Sequence, residues 1–151
     1  MQAECLVCGE LDGSVEVPGG FIWEGDLVVA FHIPPLPDRS PRPFLGHLLV
    51  ATRRHVARLG DLTPDEGAAV GRSATRLSRA LTEVAGAEWV YSAVIGRGVP
   101  HFHLHLMPRY PGTPVELPWY EDWTEGPHGG DSEVAELTEK LRQGLGAEGQ
   151  I

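Results

Sequence analysis

No apolar run in this 151-residue chain approaches the roughly 20 residues that a helix needs to cross a bilayer. The opening segment MQAECLVCGE also lacks the basic and apolar regions of a secretory signal, so the expectation is a cytoplasmic protein with no membrane partner. Basic residues are scarce: 12 Lys and Arg stand against 21 Asp and Glu, for a net charge of −9. A protein that grips nucleic-acid backbones needs a basic footprint, so a nucleic-acid polymer is excluded as a partner and any nucleotide handled should be small. No internal repeat divides the chain, and its length fits a single domain spanning residues 1–151 with a sizeable core. Cysteine is limited to Cys5 and Cys8. In a reducing compartment such a C-x-x-C pair serves as a metal half-site or a redox pair more often than as a structural disulfide.

What is present is a mixed pattern of strands and helices. Alternating residues in Phe21–Glu24 and the run Leu27–Phe31, separated by Gly25-Asp26, read as a hairpin. Five of the thirteen prolines fall between Ile33 and Pro43, which rules out a central strand there and leaves a surface loop. His47–Ala51 reads as a short buried strand followed by the basic Arg53-Arg54-His55. Thr63-Pro64-Asp65-Glu66 is a capping box with proline at the first helical position. The apolar face of Val70, Ala74, Leu77, Leu81 and Val84 extends that helix to a stop at Gly86. Trp89–Ile95 has strand composition, and Gly96–Pro100 turns the chain into a second strand, His101–Met107. Beyond Pro108 lies a tail rich in Pro, Gly and Trp, closed by an amphipathic helix through Val134, Leu137 and Leu141 to Gly144, with Asp131 or Ser132 as its cap.

The chemistry concentrates in His101-Phe102-His103-Leu104-His105. On a strand, alternate side chains point to opposite faces, so the three imidazoles share one face and Phe102, Leu104 and Leu106 share the other. Three readings follow. The row is solvated or satisfied in the core, or it ligates a transition metal, or it performs acid, base and nucleophile work near neutral pH, where imidazole suits each role. The last accounts best for placing three costly side chains together.

HFHLHLMPR resembles the signature of the histidine-triad (HIT) family, and GHLLVATRRHVARLGDLTPDE resembles that family's strand, basic histidine and helix start. The N-terminal C-x-x-C is similar to its zinc-containing branch. The resemblance covers about residues 5–110 and leaves 111–151 as a variable tail. It implies an α+β fold with an antiparallel sheet of about five strands, one long helix and a C-terminal helix. It further implies a homodimer that hydrolyses nucleotides or transfers nucleotidyl groups through a covalent nucleotidyl-histidine. Carried over residue by residue, His103 is the nucleophile and His105 contacts phosphate. Structural zinc is implied at Cys5, Cys8, His55 and His101, a set of two sulfurs and two nitrogens suited to a closed tetrahedral site. For Cys5-Cys8 a redox pair, and for His55 an exposed basic cluster, are the plainer alternatives.

Two departures from the family pattern stand out. Where an Asn and a Gln followed by Ser or Thr usually bind phosphate, this chain has Val94 or Ile95, then Arg97 and Gly98. Arg97 is therefore expected as a charge-assisted phosphate contact. An acidic ribose ligand is usual after Phe31-His32, yet Ile33-Pro34 follows, so Phe31 and Ile33 are the expected substrate neighbours there. His32, His47 and His128 are left as structural or solvated. Trp119, Tyr120 and Trp123 would form an aromatic lid, a dimer contact or core packing beneath a loop. Two rival classes stand beside the enzyme: a nucleotide- or partner-binding module without chemistry, and a metal oxidoreductase using all three histidines.

Overall fold

The computed structural model describes residues 5–38, 40–120 and 125–146, so Trp123 lies outside the described residues. Five antiparallel strands form one sheet: β1 (Trp23–Glu24), β2 (Val28–His32), β3 (Leu48–Thr52), β4 (Trp89–Ala93) and β5 (His103–Arg109), in the order β1-β2-β3-β5-β4. Among the described residues three α-helices complete the fold: α1 (Leu6–Asp12), α2 (Pro64–Ala85) and α3 (Asp131–Leu145). No helix among the described residues is long and apolar enough to cross a membrane.

Both faces of the central strands are covered. Val28, Ala30, Leu48, Val50 and Leu106 join Leu77 and Leu81 of α2 and Leu141 of α3 in the main core. On the opposite face Val29, Phe31, Leu49 and Ala51 pack with Val7 of α1 in a second, smaller core. Every residue of β2 and β3 is buried, and each fully buried Leu contributes about 1.5–3 kcal/mol of removed apolar surface. The register sets Leu49 opposite His105 and Ala51 opposite His103. The face opposite α2 therefore carries both imidazoles of β5.

Local sequence explains the longest helix. Thr63 caps α2 by accepting from the Glu66 N–H at 3.1 Å, and the Glu66 carboxylate takes the Thr63 N–H at 2.8 Å. Pro64 fills the first helical turn, and Gly86 ends the helix in the left-handed region at φ 77°. Three expectations change. His101 lies before β5, not on it, because its ring and backbone are engaged elsewhere, as described below. The final helix is capped at Gly130 in place of Asp131 or Ser132, since the Glu133 carboxylate receives the Gly130 N–H at 3.0 Å. Trp119 and Tyr120 do not pack in the core: they are half-exposed, with Trp119 lying against Tyr91 of the edge strand β4 and Tyr120 edge-on to Trp119.

Arg54, just after β3, makes a two-pronged bond to Glu66 at 2.9 and 2.7 Å, fastening the sheet to the start of α2. That hydrogen bond, with the Thr63 N–H second, holds the Glu66 carboxyl at about 2, below its ordinary 4.5. The lowered value means stability that is complete above about pH 4.5 and is lost as pH falls toward 2. Thermal melts from pH 6 to 2 should show this acid slope in the wild type and a shallower one in Glu66→Gln.

Candidate active site and metal centre

Cys5 and Cys8 are held by α1, where the Cys5 sulfur caps the helix by accepting from the Cys8 N–H at 3.5 Å. The Cys8 sulfur lies 3.3 Å from His55 Nδ1 and 3.5 Å from His101 Nδ1, and the Cys5 sulfur lies 3.4 Å from His101 Nδ1. One donor atom from each of the four residues lies within 4.8 Å of all the others. These residues come from three separate stretches of chain, and the sequence-level alternatives of an isolated redox pair and a free basic His55 do not describe their convergence. Fully buried His101 donates its Nε2–H to the Thr52 carbonyl at 2.6 Å, which leaves the Nδ1 lone pair facing the sulfurs. Burial, and then the hydrogen bond and charge of Cys5, push the Cys8 thiol up to about 11. A cation is what would draw both sulfurs into the thiolate form. Two sulfurs and two imidazole nitrogens are a donor set that fits tetrahedral zinc.

Beside this cluster opens a cleft of about 260 Å³, walled by Leu6, Val7 and Glu10 of α1, by Ile33, Pro34 and Leu36, and by the turn 95–99, with Leu49, His103 and His105 on the sheet. Ile33 and Arg97 thus line the cleft as expected substrate neighbours. Phe31 is placed differently: it is wholly buried in the smaller core, edge-on to Phe21, not on the cleft wall. Val94 and Ile95 are partly exposed where β4 has ended.

His103 is fixed by the backbone. Its Nδ1–H donates to the His101 carbonyl at 2.6 Å, so the neutral ring keeps its lone pair on Nε2. His105 packs edge-on against His103, with centroids 4.8 Å apart, and shares a hydrogen bond with His47 Nε2 at 2.9 Å through its Nδ1. His47, assigned above as structural or solvated, therefore supports His105. No local pattern announces a contact between residues 58 apart in sequence. His32 is structural: it donates to the Ile33 carbonyl at 2.8 Å and accepts the Gly46 N–H at 2.9 Å. His128 is exposed and lies against Phe44.

Burial depresses the buried rings: His32 to about 4, His47 to about 3 with His105 as its next cause, and His105 to about 4 with His103 as its next. Glu10, buried on the cleft wall, moves the other way, pushed up to about 8 by burial.

Residues 14–112 match the HIT domain family. The chain belongs to the HIT family. It is 30% identical over 112 residues to an uncharacterized HIT-like protein of Methanocaldococcus jannaschii, covering 72% of this chain and 81% of that one. It is 36% identical over 77 residues to the bifunctional bis(5′-adenosyl)-triphosphatase/adenylylsulfatase FHIT of Arabidopsis thaliana, across 47% of this chain and 43% of that one. The match therefore spans less than half the length of that second HIT relative. A zinc-bound histidine triad family protein from Mycobacterium smegmatis superposes with a TM-score of 0.70 at 25% identity, over 95% of this chain and 94% of that one. The five-stranded antiparallel sheet is the fold that this HIT chain shares with it, and the Cys5, Cys8, His55 and His101 cluster fits the zinc-containing branch.

The depressed histidines have a sign. The unfolded chain binds protons below about 6.5 that the folded rings refuse, so stability is full above that pH and falls as pH drops toward 4. The imidazole NMR signals of His32 and His47 should stay flat from pH 8 to 5, and a titration midpoint near 6.5 for either would contradict their burial.

Proposed function

We propose that this HIT protein is a nucleotide hydrolase or nucleotidyl transferase acting at the α-phosphorus of a nucleoside polyphosphate, dinucleoside polyphosphate or nucleoside phosphoramidate. The observation that carries the reading is the 2.6 Å bond from His103 Nδ1 to the His101 carbonyl, which leaves Nε2 of a cleft-lining imidazole as the nucleophile. Nε2 forms a bond to phosphorus as the bond to the leaving group breaks. Water then attacks the same phosphorus, the P–N bond breaks, and the nucleotide departs with His103 restored. Splitting one displacement into two is the gain of covalent catalysis. His105, steadied by His47, contacts a phosphate oxygen, and exposed Arg97 at the cleft mouth adds a charged contact. The names of the curated relatives, among them bis(5′-adenosyl)-triphosphatases, support this substrate class.

Cys5, Cys8, His55 and His101 would hold structural zinc, which supplies four bonds tying α1 to the segment before β5. A homodimer is supported by β4: it is an edge strand beside catalytic β5, and Trp89 on it is 62% exposed.

Turnover of diadenosine and diguanosine polyphosphates should fall at least about 1,000-fold in His103→Ala. An unchanged rate in that variant would remove His103 as the nucleophile, and nucleotide binding without turnover in the wild type would favour the binding-module reading. Elemental analysis of the purified protein should find about one zinc per chain, and Cys8→Ser should lower both the metal content and the melting temperature. Zinc at trace level in the wild type would sink the four-ligand site.

A further inference from the structure

Helix α1 presents Leu6, Val7 and Glu10 to the cleft, with Leu6 and Glu10 one turn apart on the same face. Leu6 and Val7 suit an apolar wall. Glu10 does not: it is only 3% exposed, and neither carboxyl oxygen has a hydrogen-bond partner among the described residues. A buried carboxyl without a partner costs free energy in either protonation state, and leucine would fill the same wall without that cost. A native protein that keeps such a group at that cost does so for a functional reason, and a ligand that completes its hydrogen bonds is one.

The other polar side chains on the cleft are Arg97, His103 and His105, which suit phosphate. A carboxyl has the wrong sign for phosphate, but its two acceptor oxygens match two hydroxyl donors on neighbouring carbons. The segment after β2 provides no competing acid, because Ile33 and Pro34 occupy the cleft there. We infer that Glu10 is a specificity-determining residue whose carboxyl group binds the vicinal 2′- and 3′-hydroxyls of a ribonucleoside phosphate lodged with its phosphate at His103 and Arg97. Both oxygens are buried in the free protein, so this binding requires the carboxyl to turn onto the sugar. The inference rests on the nucleotide reading above and adds the part of the nucleotide that the second wall recognises.

Equilibrium binding tests it without turnover. Adenosine and guanosine 5′-monophosphates and their 2′-deoxy and 3′-deoxy counterparts are titrated into the full-length wild type, Glu10→Gln and Glu10→Leu. The wild type should bind the ribonucleotides about 10-fold more tightly than the deoxy forms. In Glu10→Leu that ratio should collapse toward one while the melting temperature rises by about 3 °C. If Glu10→Leu fails to fold, the near-isosteric Glu10→Gln carries the test with at least a 3-fold loss of the ratio. Equal binding of ribo and deoxy forms by the wild type, or a ratio untouched by either substitution, overturns the role of Glu10 and leaves the nucleotide site standing. Folded wild type that binds none of these nucleotides overturns both.

Discussion

The arrangement of this HIT protein depends on two of the hydrogen bonds of His101. Its ring donates to the Thr52 carbonyl and its own carbonyl accepts from His103, each at 2.6 Å. The first bond fixes the tautomer that turns Nδ1 toward Cys5 and Cys8. The second fixes the tautomer that leaves Nε2 free on the next histidine. One residue thus joins the sulfur-bearing helix, the end of β3 and the first residue of β5. It can do so because it stands just outside the strand, where its backbone is not committed to the sheet ladder.

The sheet separates duties by face. Side chains of β2, β3 and β5 that point toward α2 and α3 build the main core, and their alternates build the smaller core and the floor of the cleft. A one-residue slip in the β3–β5 register would carry both imidazoles into the helix-facing core and Leu104 and Leu106 into the cleft. Registers of that kind are strongly specified, because the error buries polar rings and exposes apolar ones at every position of the strand.

Much of this was legible in the sequence. The capping box at Thr63 and Glu66, the periodic apolar face and Gly86 mark α2 within a residue of its ends, because helix signals are local. The strands are recognisable for the same reason, though their ends shift where bonding, not composition, decides. Helix α1 was not legible: at seven residues it has no sustained periodicity, and so short a helix depends on tertiary support. His47 beside His105 and Glu10 beside the cleft were also hidden, since each gains meaning only from groups brought near by folding. The roles of the Thr52 and His101 carbonyls belong to the backbone, which side-chain identity does not encode.

The clamp made by His32 has a consequence for how this architecture tolerates change. His32 accepts the Gly46 N–H, and the Ile33 N–H donates to the His47 carbonyl at 2.9 Å, so both ends of the proline-rich loop between β2 and β3 are tied at its base. Between those ties the cleft-lining part of the loop can lengthen, shorten or change composition without altering the pairing of His32 with Leu48, provided buried Phe44 keeps its place against Tyr110. Doubling such a loop costs only about 0.6 kcal/mol of closure entropy. One wall of the cleft is in effect an exchangeable cassette mounted on a rigid frame, free to diversify while the imidazoles behind it stay put.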